Sequence, residues 1–148
     1  MSRPTPLARA AFSHFSTITT RWMDNDIYGH INNVAYYSFF DTAANRFLIE
    51  RGGLDILASP VIGLVVESRC VYHAPLAYPQ ELRAGVRVDK LGNRAVTYGI
   101  AVFAADDDRA AAHGHFVHVF VDRATRVATA IPPTIRAALE VVRVDASE

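Results

Sequence analysis

Apolar and polar positions change period several times along the chain, and each change predicts a new element. Residues 12 to 22 concentrate Phe, Thr, Ile and Trp and stop at Met23-Asp24-Asn25-Asp26, which predicts a strand running into a polar turn. A helix should follow. It should start at Asn32 or Asn33, since asparagine caps helices well, and end at Gly52-Gly53, where glycine supplies the left-handed closing residue. Val34, Ala35, Tyr36, Tyr37, Phe39, Phe40, Ala43, Ala44, Phe47, Leu48 and Ile49 leave its first four turns almost without a polar face. A helix apolar all round should be enclosed by protein on most sides.

Beyond Gly53 the period shortens to two. Residues 62 to 73 set Val66, Cys70 and Tyr72 against Glu67, Arg69 and His73, with Ser68 out of step, and residues 82 to 90 set Leu82, Ala84, Val86 and Val88 against Arg83, Arg87 and Asp89. Two more strands are predicted at 94 to 104 and 112 to 122. Pro75, Pro79, Leu91-Gly92-Asn93 and Asp106-Asp107-Asp108 separate them, all turn formers. Pro132-Pro133 then opens a short helical stripe of Ile135, Ala138, Leu139 and Val142, expected to lie as a lid on one edge of the sheet. The sum is an α+β domain over residues 12 to 148, preceded by a flexible N-terminal arm over residues 1 to 11.

Length and charge restrict what such a domain does. At 148 residues the chain is one domain's worth, and 15 basic against 15 acidic residues leave no global field for nucleic acid or an anionic membrane. Two prolines and two arginines in the first ten residues break any signal-peptide core, and no apolar run is long enough to span a membrane. One cysteine, Cys70, excludes an internal disulfide and multi-cysteine metal centres, and a cytoplasmic location is expected. No metal is expected either. His113 and His115 share a strand face with no third ligand placed by spacing, and His118 points the other way as a packing residue. Cys70 falls on the apolar side of its strand, as a small buried hydrophobe rather than a nucleophile. Motifs for serine hydrolases, zincins, P-loops and dinucleotide folds are all missing.

The densest polar cluster, Arg21 to Asn33, lies immediately before the predicted helix. Unpaired amides and the positive end of a helix dipole make that position suited to a developing oxyanion, with a carboxylate nearby as base or nucleophile. On composition alone, Asp24 and Asp26 also read as plain turn and capping residues.

The string D-N-D-x-x-G-H-I-N-N-x-x-Y-x-x-x-x-D from Asp24 to Asp41, followed by Tyr72-His73-Ala74-Pro75-Leu76 and Leu91-Gly92-Asn93-Arg94, resembles the hotdog-fold acyl-CoA thioesterases of the 4-hydroxybenzoyl-CoA thioesterase-like branch. The resemblance runs from residue 12 to 133. It implies a single-domain hotdog fold, an antiparallel β-sheet wrapped around one long central α-helix, and hydrolysis of acyl-CoA to free acid and coenzyme A. Asp26 matches the catalytic carboxylate, and Asn33, with Val34 beside it, matches the amide that polarises the thioester carbonyl. His30 and Tyr36 would shape the site. Asp41 stands where Glu is usual, one methylene shorter. Leu64 and Val65 would line the acyl pocket, and Arg94 matches a basic position that meets coenzyme A phosphates. No cofactor is implied beyond the coenzyme A of the substrate.

Thioester chemistry suits so sparse a site, because a thiolate with a conjugate-acid pKa of about 8.5 leaves without a strong general acid. Asp26 as nucleophile and Asp26 as general base stay open alternatives. A hotdog hydratase or dehydratase and a silent acyl-CoA-binding or regulatory domain are the rival readings. The hydratase pattern D-x-N-x-x-H is not met, since Asp24 and His30 are too far apart. A strand as apolar as Val61 to Val66 needs a partner at a sheet edge, and with the resemblance this points to a homodimer or a dimer of dimers.

Overall fold

The aromatic residues of the helical stretch fall on one stripe. The computed structural model describes residues 4–144, and in it Asn33–Gly52 forms an α-helix (α1) whose Tyr36, Phe39, Phe40, Ala43, Ala44, Phe47 and Leu48 recur every three or four positions and are buried. They face a sheet of five antiparallel strands, β1 (His14–Thr19), β2 (Val61–Tyr72), β3 (Glu81–Leu91), β4 (Ala95–Ala104) and β5 (Ala112–Asp122), in spatial order β1-β3-β4-β5-β2. The alternation read in β3 holds, with Leu82, Ala84, Val86 and Val88 turned to α1 beside Val96, Tyr98, Ile100 and Val102 of β4 and Phe116 and Phe120 of β5. Each buried aliphatic or aromatic side chain is worth about 2 kcal/mol, so this one interface dominates the stability of the domain. Irregular register between Val65 and Glu67, and again between Val88 and Lys90, bends the sheet around the helix. One long helix in the lap of an antiparallel sheet is the hotdog fold.

The helix ends where its sequence says it should. Asn32 accepts a hydrogen bond from the Val34 amide through Oδ1 at 3.0 Å, and Gly53 closes the other end in the left-handed region at φ 71°. The expected enclosure on most sides is not met within one protomer. Val34 is 70% exposed, and Tyr37 and Ile49 also face outward, because the sheet covers only the stripe above.

Two further readings change. The arm expected to be flexible is a packed cover from Leu7 onward: Phe12 lies on Phe103 at 5.9 Å over the outer face of the sheet, and the Arg9 side chain donates to the carbonyls of Ala104 at 2.9 Å and Asp107 at 2.7 Å. A side chain at Gly85 would meet the Phe12 ring at 2.8 Å, so the seat for that ring is the missing Cβ. Residues 1–3 lie outside the described residues. The second helix, α2 (Pro133–Val141), packs on the C-terminal part of α1, where Ile135 sits against Gly52. The chain after it pairs with Val88 of β3 beyond the end of β1, so α2 closes that margin of the sheet rather than capping an edge strand alone.

His118 is buried among aromatic rings on the inner face of β5, its Nδ1 at 3.1 Å from the Tyr98 hydroxyl, and Gly63 of β2 leaves it room. Burial pushes its pKa down to about 4. The unfolded chain, with an ordinary imidazole near 6.5, therefore binds one more proton between pH 6.5 and 4. Stability should fall as the pH drops through that window, by about 1.4 kcal/mol for each pH unit crossed and about 3 kcal/mol in all. Urea unfolding of His118→Gln, which keeps an acceptor for Tyr98 but does not titrate, should show a clearly flatter decline than the parent chain over the same window.

Candidate active site

The segment before α1 is held by hydrogen bonds to the loop after β2 and by one within itself. The Ile31 amide donates to the Leu76 carbonyl at 2.7 Å, the Tyr78 amide to Asn25 Oδ1 at 3.0 Å, and the Asn32 amide to the Asp24 carbonyl at 2.8 Å. Asp24 is a structural carboxylate. It is buried, takes the Arg21 amide at 2.7 Å and the Arg21 guanidinium at 2.9 Å, and ties off the short 3-10 turn Trp22–Asp24.

Asp26 lies in a tight turn closed by Gly29 at φ 80°, where glycine relieves the backbone. Its amide donates to the His30 carbonyl at 2.9 Å, and its Oδ1 accepts from the Tyr28 amide at 2.9 Å. The carboxylate is half-buried, and its second oxygen takes no hydrogen bond from the described residues.

At the start of α1 the amides are unequally used. Asn32 Oδ1 occupies the Val34 amide, and the Ala35 amide donates to the Asn32 carbonyl at 2.9 Å. The Asn33 amide has no acceptor among the described residues, so it is the open donor of the first turn. It borders an open cavity of about 360 Å³ lined by His30, Ile31, Asn33, Tyr36, Tyr72, His73, Ala74 and Pro75. Tyr36 and Tyr72 meet edge to face at 5.1 Å, and burial pushes the Tyr36 hydroxyl up to about 12 and the Tyr72 hydroxyl higher still, so both stay protonated donors.

Of the residues singled out from the sequence, His30, Asn33 and Tyr36 meet at this cavity, with Asp26 in the adjoining turn and Val34 exposed beside it. Leu64, Val65 and Arg94 do not join them within one protomer. Leu64 and Val65 lie in the exposed part of β2, Leu64 opposite Val119, which in turn pairs with Ala95 next to Arg94. Tyr72 lines the cavity at the other end of the strand, about 26 Å from Leu64 at about 3.3 Å per residue. Asp41 is eight residues along α1, exposed, and bonded to Asn45 at 3.0 Å.

Tyr72, His73 and Pro75 are wall residues that sequence reasoning used as part of a motif without giving them a place in the site. His73 Nε2 and His113 Nδ1 lie 3.0 Å apart, and burial together with His73 holds His113 below its ordinary value. His115 meets Glu67 at 2.6 Å. No group of three or more potential ligands is arranged for a metal among the described residues. Cys70 is half-buried, and its thiol is pushed up to about 11 by burial, which leaves it a poor nucleophile.

Fold and site now meet known proteins. Residues 20–139 match the family model of the thioesterase-like superfamily, and the chain belongs to that superfamily. The crystal structure of the PA5185 protein from Pseudomonas aeruginosa strain PAO1 is 54% identical, with a TM-score of 0.93 over 97% of this chain and 99% of that one. PA2801, a proposed thioesterase of Pseudomonas aeruginosa, is 28% identical, with a TM-score of 0.79 over 85% and 97% of the two chains. Slr0204, a 1,4-dihydroxy-2-naphthoyl-CoA thioesterase from Synechocystis, is 14% identical, with a TM-score of 0.75 over 84% and 93%, a likeness of fold alone. The chain also matches YsmA of Bacillus subtilis (strain 168) at 23% identity over 91 residues, spanning 60% of each chain. Thioester hydrolysis is the general activity that the superfamily supports. No helix among the described residues is long and apolar enough to cross a membrane.

Because Asp24 organises the turn without lining the cavity, Asp24→Asn should act on stability. Losing charge-assisted hydrogen bonds from a buried carboxylate costs about 1–2 kcal/mol, a drop in Tm of a few degrees, while turnover per folded molecule stays within about twofold. Paired thermal melts and initial rates check this; a large loss of kcat with unchanged Tm would move Asp24 into the chemistry.

Proposed function

We propose that this protein hydrolyses acyl-CoA thioesters to free acid and coenzyme A, with Asp26 as the reacting carboxylate and the Asn33 amide as the oxyanion donor. The observation that carries this reading is the open Asn33 amide beside the cavity, seven residues along the chain from a carboxylate with a free oxygen. In this reading the amide meets the charge that develops on the carbonyl oxygen as the thioester becomes tetrahedral. Asp26 either attacks the carbonyl carbon, giving an anhydride that water then hydrolyses, or takes a proton from a water that attacks the carbon, and in both routes the thiolate leaves unaided. His30 and Tyr36 line the cavity that would receive the acyl carbonyl.

The working unit in this proposal is a homodimer. β2 is an edge strand twelve residues long with Leu64, Val65 and Val66 exposed, and the open face of α1 leaves Val34 and Tyr37 exposed as well. A two-fold pairing through the middle of β2 sets the Val61 end of one copy beside the Tyr72 end of the other. That brings Leu64 and Val65 to the neighbouring cavity as acyl-pocket residues, with Arg94 on the nucleotide side, and bridges the 26 Å separation estimated above at about 3.3 Å per residue. Coenzyme A enters as part of the substrate with no other cofactor, and the lone thiol accords with a reducing cytoplasm.

The test of the chemistry is thiol release from straight-chain acyl-CoAs, acetyl to palmitoyl, and from benzoyl-CoA. Asp26→Asn should keep the fold and lower kcat at least about a hundredfold on whichever substrate the parent chain turns over. A variant rate close to the parent's would return Asp26 to the role of a turn residue. For the assembly, light scattering at micromolar concentration should give a mass of about two chains or a multiple of it; a monomeric mass would remove both the completed pocket and the role of Arg94.

A further inference from the structure

The peptide unit joining Asn33 to Val34 is held from both sides by side chains. Its N–H, that of Val34, donates to Asn32 Oδ1 at 3.0 Å, and its carbonyl, that of Asn33, accepts from the Tyr72 hydroxyl at 3.1 Å. The first of these bonds is an ordinary helix cap. The second comes from a different element, the last residue of β2, thirty-nine positions along the chain. We infer that Tyr72 is a positioning residue, whose hydroxyl clamps the first peptide of α1 so that the neighbouring Asn33 amide points into the cavity at a constant angle. This rests on reading that amide as the oxyanion donor.

The physical reason is the small number of freedoms left. Peptide units are planar, so fixing the oxygen and the N–H of one unit fixes its plane, and the Asn33 amide is then separated from a rigid body by the backbone torsions of a single residue. On the other side of Asn33, the Asn32 carbonyl, which shares a peptide unit with the Asn33 N–H, accepts from the Ala35 amide at 2.9 Å, and one peptide further back the Asn32 amide is held by the Asp24 carbonyl. An oxyanion donor that does not reorganise as charge develops is more effective than one that must turn into place. Without the clamp, the first turn of a helix is the part that frays most readily. Packing keeps the clamp in register: the Tyr72 ring stands edge to face on Tyr36 at 5.1 Å, and its hydroxyl also adjoins the Cys70 thiol.

Tyr72→Phe tests this, since it removes the hydroxyl and keeps the ring against Tyr36. On a substrate that the parent chain hydrolyses, kcat should fall about tenfold with KM within twofold, because the amide acts on the transition state rather than on ground-state binding. Tm should be nearly unchanged. Amide hydrogen exchange read by NMR should speed up at Val34, the bonded amide of the clamped peptide, and stay the same in the centre of α1. Cys70→Ala removes the hydroxyl's other neighbour and should leave kcat within twofold. A kcat equal to the parent's, or a fall in kcat with exchange at Val34 unaltered, overturns the positioning role while the proposed hydrolysis stands. No thiol release by the parent chain from any acyl-CoA in the panel overturns the hydrolysis, and with it any reaction for Tyr72 to serve.

Discussion

Everything in this domain hangs on the seating of one aromatic stripe. Tyr36, Phe39, Phe40 and Phe47 bury themselves against the inner face of the sheet, with Phe40 meeting Phe116 at 6.0 Å, and this decides where both ends of α1 lie. Because the helix crosses a sheet bent by two irregularities of register, its N-terminus arrives at the end of the strands where β2 finishes. The open amide, the Asp26 turn and the Tyr72 hydroxyl are near each other for that reason. Large apolar area sets the coarse position, and a handful of hydrogen bonds of about 1 kcal/mol each set the fine one.

The polar turn before the helix divides its labour between neighbouring carboxylates. Asp24 serves structure, buried against Arg21 and the backbone, whereas Asp26 two residues on keeps an oxygen open. In the proposed reaction a rigid residue would stand beside the reacting one, and the Asp26 carboxylate would gain orientation while keeping its second oxygen open. The same division appears among the helix amides: the cap takes the Val34 N–H and leaves that of Asn33 free.

Exposure is the other constraint. A single protomer leaves β2 as an unpaired edge and the outer face of α1 bare at Val34, Tyr37 and Ile49. On the far side of the sheet the N-terminal segment does for Phe103 and Ala101 what nothing in the protomer does for β2, covering them with Phe12, Leu7 and Ala11. The two faces are therefore managed differently, one by the chain's own N-terminal segment and the other, in the proposed dimer, by a second copy.

The elements themselves were legible in the amino-acid order. Period-two strands, an asparagine cap and a glycine stop are local properties, and the helix from Asn33 to Gly52 lies where those signals put it. The turn carrying Asp26 was legible for the same reason, since Asp, Asn and Gly dictate their own backbone. What only tertiary structure decided is which distant parts touch. The packing of residues 7–12 depends on a groove at Gly85 that exists only once β3 and β4 are paired. The 26 Å between the cavity and Leu64, estimated at about 3.3 Å per residue, follows from the direction in which β2 runs past the helix. Tyr72 looked like one more alternating strand residue until the helix N-terminus was set down beside it, because a hydrogen bond across thirty-nine residues leaves no trace in local spacing.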